Sequence, residues 1–130
     1  MKISVIIPIF NASKTLRACL DSVFRSHCLN FEVIAVDDKS EDDSLSILKE
    51  YPCQIIALNQ NAGTANARNV GAQEANGDFF VFIDSDVVIQ QNTLEIVADE
   101  MEQHPQVAAV TGFLSCATYE KNFLSEYKNL

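Results

Sequence analysis

The chain of 130 residues is 48% hydrophobic and 21% charged, which supplies enough apolar side chain for one domain with a sizeable core and leaves no room for a second. A formal net charge of -9 excludes a surface built for phosphate backbones or anionic lipid, both of which need a basic face, so nucleic acid is not an expected partner. No apolar run reaches the roughly 20 residues of a membrane span, and "ISVII" is stopped by Pro8 without a signal peptide's cleavage region, so no membrane span is expected and the chain reads as soluble and cytoplasmic.

The first element, "KISVIIP", is a near-continuous apolar run of strand length. After Asn11 and Ser13 the spacing of Leu16, Cys19, Leu20, Val23 and Phe24 predicts an amphipathic helix. "FEVIAVD" predicts a second strand, and Ser40 followed by Asp43 has the spacing of a helix-capping pair. "CQIIALN" predicts a third strand. Ala65, Arg68 and Ala72 mark the helix after it, expected to end at "NGD" with Gly77 in the left-handed conformation. "DFFVFID" predicts a fourth strand, Asn92 and Glu95 a capped fourth helix, and "QVAAVTG" a fifth strand. Tyr119, Phe123, Tyr127 and Leu130 fall at helical spacing, as expected for a C-terminal helical segment, residues 113–130, whose apolar face meets a partner beyond this stretch or a second copy of the chain. Residues 1–112 are then the core.

Strands without polar alternation are those of a parallel sheet covered on both faces. The order β-α-β-α-β-α-β-α-β, with right-handed crossovers, predicts a doubly wound α/β domain with a mainly parallel sheet flanked by helices, in which ligands collect at the carboxyl ends of the strands. Four cysteines without a CxxC pair, Cys19, Cys28, Cys53 and Cys116, read as small buried hydrophobes, and His27 and His104 as helix-end residues.

The polar residues cluster where ligands are expected. Pro8, Phe10 and Asn11 follow the first strand, Asp37 and Asp38 close the second, and Asp84 and Asp86 close the fourth. A single acid such as Asp37 is a common turn former. Two carboxylates one residue apart repel, and a divalent cation relieves that repulsion; a hard oxygen site with few protein carboxylates suits Mg²⁺ or Mn²⁺ completed by water and phosphate oxygens. In "NQNAGTANARNVGA", Gly63 and the alanines allow close approach of a backbone or ligand, and Arg68 offers a forked donor for phosphate. The same small residues also suit tight helix-on-sheet packing.

Taken together, "VIIPIFNASKTLRACLDSV", "FEVIAVDDKSEDDS", "NAGTANARNVG" and "GDFFVFIDSDVV" resemble the N-terminal half of a family 2 glycosyltransferase of the GT-A, Rossmann-like fold, over Lys2 to about Gly112. The resemblance implies a nucleotide-sugar donor, UDP- or GDP-linked, a saccharide, lipid-linked or protein acceptor, inversion at the anomeric carbon, and work in polysaccharide or cell-envelope synthesis, with relatives acting at the inner membrane face. It implies that Pro8, Phe10 and Asn11 border the base and ribose, Asp38 accepts a hydrogen bond from the base, Gly63 and Arg68 belong to the donor site with Arg68 near the diphosphate, Asp84 holds the ribose and metal shell, and Asp86 binds the metal. The family's general base lies in a downstream acid motif to which no residue here corresponds. Glu120 and Glu126, the acids after Gly112, fall in the C-terminal helix pattern. The expectation is therefore a donor-binding part of a longer transferase, poorly active alone.

Three alternatives compete. "FVFIDSDVV" also resembles the first motif of haloacid-dehalogenase-type phosphatases, which would make Asp84 a nucleophile, but leaves "VDD" and "NAGTANARN" unexplained. A nucleotidyltransferase would carry a glycine-rich loop after the first strand, and "PIFNASKTL" has no glycine. A non-catalytic nucleotide- or metal-binding module is the third.

Overall fold

The computed structural model describes residues 1–112; the expected C-terminal helix, with Glu120, Glu126 and Cys116, lies outside the described residues. The chain divides into two units, Met1–Glu100 and Met101–Leu130.

In the first unit the elements run β1 (Ile3–Ile9), α1 (Leu16–Phe24), β2 (Phe31–Asp37), α2 (Ser44–Leu48), β3 (Gln54–Ala57), α3 (Thr64–Glu74), β4 (Phe79–Phe82) and the start of α4 (Thr93–Gln103). The four strands form one parallel sheet in the order β3-β2-β1-β4, with helices on both faces, as the apolar runs predict. Growth of the sheet proceeds from β1 to β2 to β3 and then returns to the far side of β1, so the switch point falls between β1 and β4.

Strand alternation sends Ile3, Val5, Ile7 and Ile9 to one face, where they pack with Leu16, Cys19, Leu20 and Val23 of α1, with Ile47 and Leu48 of α2, and with Leu94. The opposite face is covered by α3, whose Ala67 packs with Ile34 and Val36. Gly71 brings α3 close: a Cβ there would lie 2.5 Å from Cγ2 of Ile6. Coverage is complete only over β1 and the end of β2. β4 alternates half-buried and exposed residues, with Phe80 and Phe82 nearly half exposed, because α3 rests against β1 and β2.

Pro8 sits in β1 opposite Val36, an unusual place for proline in a central strand. The backbone of Ile6 faces β4, where its carbonyl accepts from Ile83 N at 3.1 Å, so two residues on, Pro8 points its missing N–H the same way. No donor is lost on the β2 side. The β1–β4 ladder ends at Ile6 and Phe82, and the strands part at the switch point, where a ligand crevice belongs.

Three local expectations are corrected. Ser40 does not cap α2, whose N-cap is Asp43 without a side-chain cap bond; the Ser40 hydroxyl instead accepts from Asn11 N. Gly77 is not in the left-handed region, since Gly63 is the positive-φ glycine among the described residues. What requires glycine at 77 is space, because a Cβ would lie 2.6 Å from Ser4 N and 2.9 Å from Ile3 C. Residues 106–112, expected as a fifth strand, lie in the second unit, where a turn closed by His104 O and Val107 N leads into coil. A strand exists through its ladder, and residues 106–112 have none among the described residues.

Candidate functional site

The loops that follow β1, β2 and β3 are wired to one another by side chains from the acidic run Asp37–Ser44. Asp38 N extends the sheet to Ile9 O at 2.8 Å, while its two carboxylate oxygens accept the amides of Ala62 and Gly63, each at 2.8 Å. This holds the loop that leads into α3. Gly63 is the N-cap of α3 at φ +90°, and no other protein atom lies within 4 Å of where a Cβ would stand, so conformation rather than crowding calls for glycine there.

On the other side, Asn11 N donates to Ser40 Oγ (2.9 Å), Ala12 N to Ser44 Oγ (2.9 Å) and Ser13 N to Asp42 Oδ2 (3.0 Å). In return Glu41 N donates to Asn11 Oδ1 at 2.8 Å. Burial opposes ionisation of Asp42, yet its hydrogen bonds from Ser44 and Ser13 outweigh that and hold the carboxyl well below its usual range. The acidic run is in good part a frame for two loops. Asn11 and Lys39, at φ +49° and +60°, are the left-handed corners of these loops.

Phe10 stands half exposed just before the corner at Asn11, an aromatic side chain at the carboxyl end of β1. Pro8 is buried in β1. Asp37 and Asp38 are each only 3% exposed. Asp37 Oδ2 accepts Ser40 N at 3.1 Å, and its Oδ1 is buried without a hydrogen-bond partner. An unpaired buried carboxylate oxygen is costly, which marks Asp37 as a further candidate acceptor. Sequence reasoning assigned it to turn formation because a lone acid at a strand end gives no other signal.

Arg68, in the second turn of α3, reaches Asp84 at the end of β4, with Nη2 2.6 Å from Oδ1, and its Nε is buried without a partner. Asp84 and Asp86 are both exposed on a turn closed by Val87 N donating to Asp84 O at 3.0 Å. Both carboxylates lie close enough to Cys19 of α1 to act on it. Burial pushes the Cys19 thiol up to about 12, with Asp86 and then Asp84 adding to the rise, and its Sγ donates to Asp84 O at 3.6 Å. After the turn, residues 84–91 run down α1, with Ile89 N on Ser22 Oγ and Gln91 O accepting His27 N.

No group of three or more His, Cys, Asp and Glu poised for a metal occurs among the described residues. Two exposed aspartates nonetheless fit Mg²⁺ or Mn²⁺, which prefer one or two carboxylates with water and substrate phosphate in the remaining positions. No described helix is long and apolar enough to cross a membrane.

An open parallel sheet with aromatic, acidic and basic side chains gathered at its carboxyl edge is the arrangement of a ligand-binding α/β domain. The family model for glycosyl transferase family 2 matches residues 4–126, and the chain belongs to that family. It is 36% identical over 118 residues to the glycosyltransferase GlyA of Streptococcus pneumoniae, covering 88% of this chain and 17% of that protein. It is 35% identical over 111 residues to the poly(ribitol-phosphate) β-N-acetylglucosaminyltransferase TarS of Staphylococcus aureus, covering 80% of this chain and 19% of that protein. The crystal structure of TarS residues 1–349 in complex with UDP-GlcNAc superposes with a TM-score of 0.76, covering 81% of this chain and 32% of that one. The chain thus spans well under half the length of these relatives. Family membership removes the phosphatase and nucleotidyltransferase readings.

Proposed function

We propose that these residues form the donor end of a metal-assisted glycosyltransferase that moves a sugar from a UDP-linked donor to an acceptor hydroxyl with inversion. The observation that carries the reading is the meeting of Arg68 and Asp84 at the carboxyl edge of the sheet, with Asp86 two residues further along the chain. The complex of the related TarS with UDP-GlcNAc favours UDP over GDP, and the polymer in that relative's name favours a saccharide or polyol-phosphate acceptor over protein.

Phe10 offers a ring face to the base, Pro8 and Asn11 shape the wall behind it, and the base N–H is met by Asp37 or Asp38. Asp38 has lone pairs left after binding Ala62 and Gly63, and Asp37 has an oxygen with no protein partner. Gly63 leaves the loop open towards the diphosphate, and Arg68 turns its guanidinium to the departing charge. Asp84 and Asp86 would hold Mg²⁺ or Mn²⁺, which supplies further neutralisation of the leaving diphosphate. The residues described here bind and orient the donor, and the base that deprotonates the acceptor belongs to another part of the protein.

Calorimetric titration with UDP and GDP, with and without Mn²⁺, tests this. Metal-dependent UDP binding that Asp86→Ala abolishes is the expected result. A folded protein that binds neither nucleotide under any condition rejects the reading.

A further inference from the structure

The donor-site reading assigns no role to the second half of the acidic run, Ser40 to Ser44. There, three consecutive amides of the β1 loop, those of Asn11, Ala12 and Ser13, are each taken by one side chain of the β2 loop: Ser40, Ser44 and Asp42. Asp42 serves twice, its Oδ1 also accepting Ser44 N at 2.9 Å. Ser44 is fully buried, so its hydroxyl is not replaceable by water. The neighbouring Asp43 makes no cap bond and is exposed.

The arrangement fixes a corner that would otherwise be unfavourable. Asn11 stands at φ +49°, a conformation that non-glycine residues hold only where surrounding contacts over-determine it. The residue immediately before that corner is Phe10, half of which is exposed. The backbone of the corner fixes the direction in which its side chain leaves the loop.

We infer that Asp42 and Ser44 are positioning residues for the nucleoside end of the donor site, holding the Phe10–Ser13 loop in the shape that presents the Phe10 ring to a base. This rests on the donor-binding reading above. Neither residue touches the ligand; their effect passes through the three amides, and it falls on recognition of the nucleoside rather than of the diphosphate and metal, which depend on Arg68, Asp84 and Asp86 on other elements.

The experiment compares two probes by calorimetry, UDP with Mn²⁺ and inorganic pyrophosphate with Mn²⁺, on the wild type, Asp42→Asn, Ser44→Ala, Ser44→Thr and the control Asp43→Asn, each checked for folding by circular dichroism. Asp42→Asn and Ser44→Ala are expected to weaken UDP binding about tenfold, the size of one lost charge-assisted hydrogen bond partly transmitted. Pyrophosphate binding should be unchanged in both. Ser44→Thr, which keeps the hydroxyl, should recover UDP binding, and Asp43→Asn should resemble the wild type. Should Asp42→Asn fail to fold, the Ser44 pair decides. Equal losses for both probes, or no loss of UDP binding in folded variants, overturn the positioning role while leaving the donor site standing. A wild type that binds pyrophosphate but not UDP removes the nucleoside site and the positioning role with it, and one that binds neither probe removes the donor site as well.

Discussion

Arg68 Nη2 and Asp84 Oδ1 lie 2.6 Å apart, joining the second turn of α3 to the end of β4 across the point where β1 and β4 separate. Both side chains are well exposed, 40% and 55%, and exposed ion pairs contribute only about 0 to 1 kcal/mol to stability. The pair therefore contributes little to stability, and its exposure leaves it open to a ligand. Arg68→Ala should change the unfolding free energy by less than about 1 kcal/mol in urea titration, yet weaken binding of UDP with Mn²⁺ by about tenfold or more. A large stability loss with unchanged UDP affinity would make the pair structural.

At the opposite edge of the sheet, Glu32 gathers Lys2 Nζ, Ser4 Oγ and Asn76 N. The hydrogen bond from Lys2, then that from Ser4, lower its pKa from the ordinary 4.5 to about 2, against the opposing effect of burial. A depressed carboxyl contributes its stability in full above pH 4.5 and loses it as the pH falls towards 2. Acid unfolding of the wild type should therefore steepen in that window, and Glu32→Gln should flatten the slope there while lowering stability at pH 7. An identical slope in both proteins would show that Glu32 is not the group responsible.

Gly77 anchors the same corner, donating its N–H to Ser4 Oγ at 2.8 Å. A Cβ there meets Ser4 N at 2.6 Å and Ile3 C at 2.9 Å, backbone atoms of a central strand that cannot step aside. Gly77→Ala should cost about 2 to 3 kcal/mol. Gly63→Ala should cost about 1 to 2 kcal/mol, through φ +90° alone. Thermal unfolding of the two variants reads the difference between crowding and backbone conformation.

Lys39 offers the converse case. It occupies the left-handed region at φ +60° on an exposed loop, where a side chain costs about 1 to 2 kcal/mol relative to glycine. Part of that is returned by the greater freedom glycine gives the unfolded chain, about 0.5 to 1 kcal/mol. Lys39→Gly should therefore raise the urea midpoint by the equivalent of about 0.5 kcal/mol, with no change in slope.

Much of the sheet was legible because β1 and β2 are covered on both faces, and such strands must be apolar at nearly every position. β3 and β4 look equally apolar in the sequence, yet β4 alternates in exposure, since the reach of α3 is a property of packing that no strand carries in itself. Apolar composition alone likewise misled at residues 106–112, where no ladder partner is found among the described residues. Errors at Ser40 and Gly77 share one cause. A hydroxyl spent on Asn11 N, 29 positions away, and a glycine shaped by Ser4, 73 positions away, are long-range requirements that local capping patterns cannot express. The exposed placement of Asp84 and Asp86 after β4 was legible because two acids ending an apolar run conflict with burial, and that conflict is local.

Asp37 and Asp38 make the sharpest test of that distinction, because adjacent identical residues of equal burial are expected to respond in opposite directions. Asp38 accepts two amides, from Ala62 and Gly63, so Asp38→Asn turns one of them against an NH₂ group and should cost about 1 to 3 kcal/mol. Asp37 accepts one amide, from Ser40, and buries its second oxygen unpartnered. Asp37→Asn keeps an oxygen for Ser40 and removes a poorly compensated buried charge, so stability should hold or rise. The same substitution should weaken UDP binding, because it replaces the acceptor left over for a base N–H. A protein that gains stability and loses nucleotide would identify Asp37 as kept for its ligand; one in which Asp37→Asn changes neither property would return the base contact to Asp38.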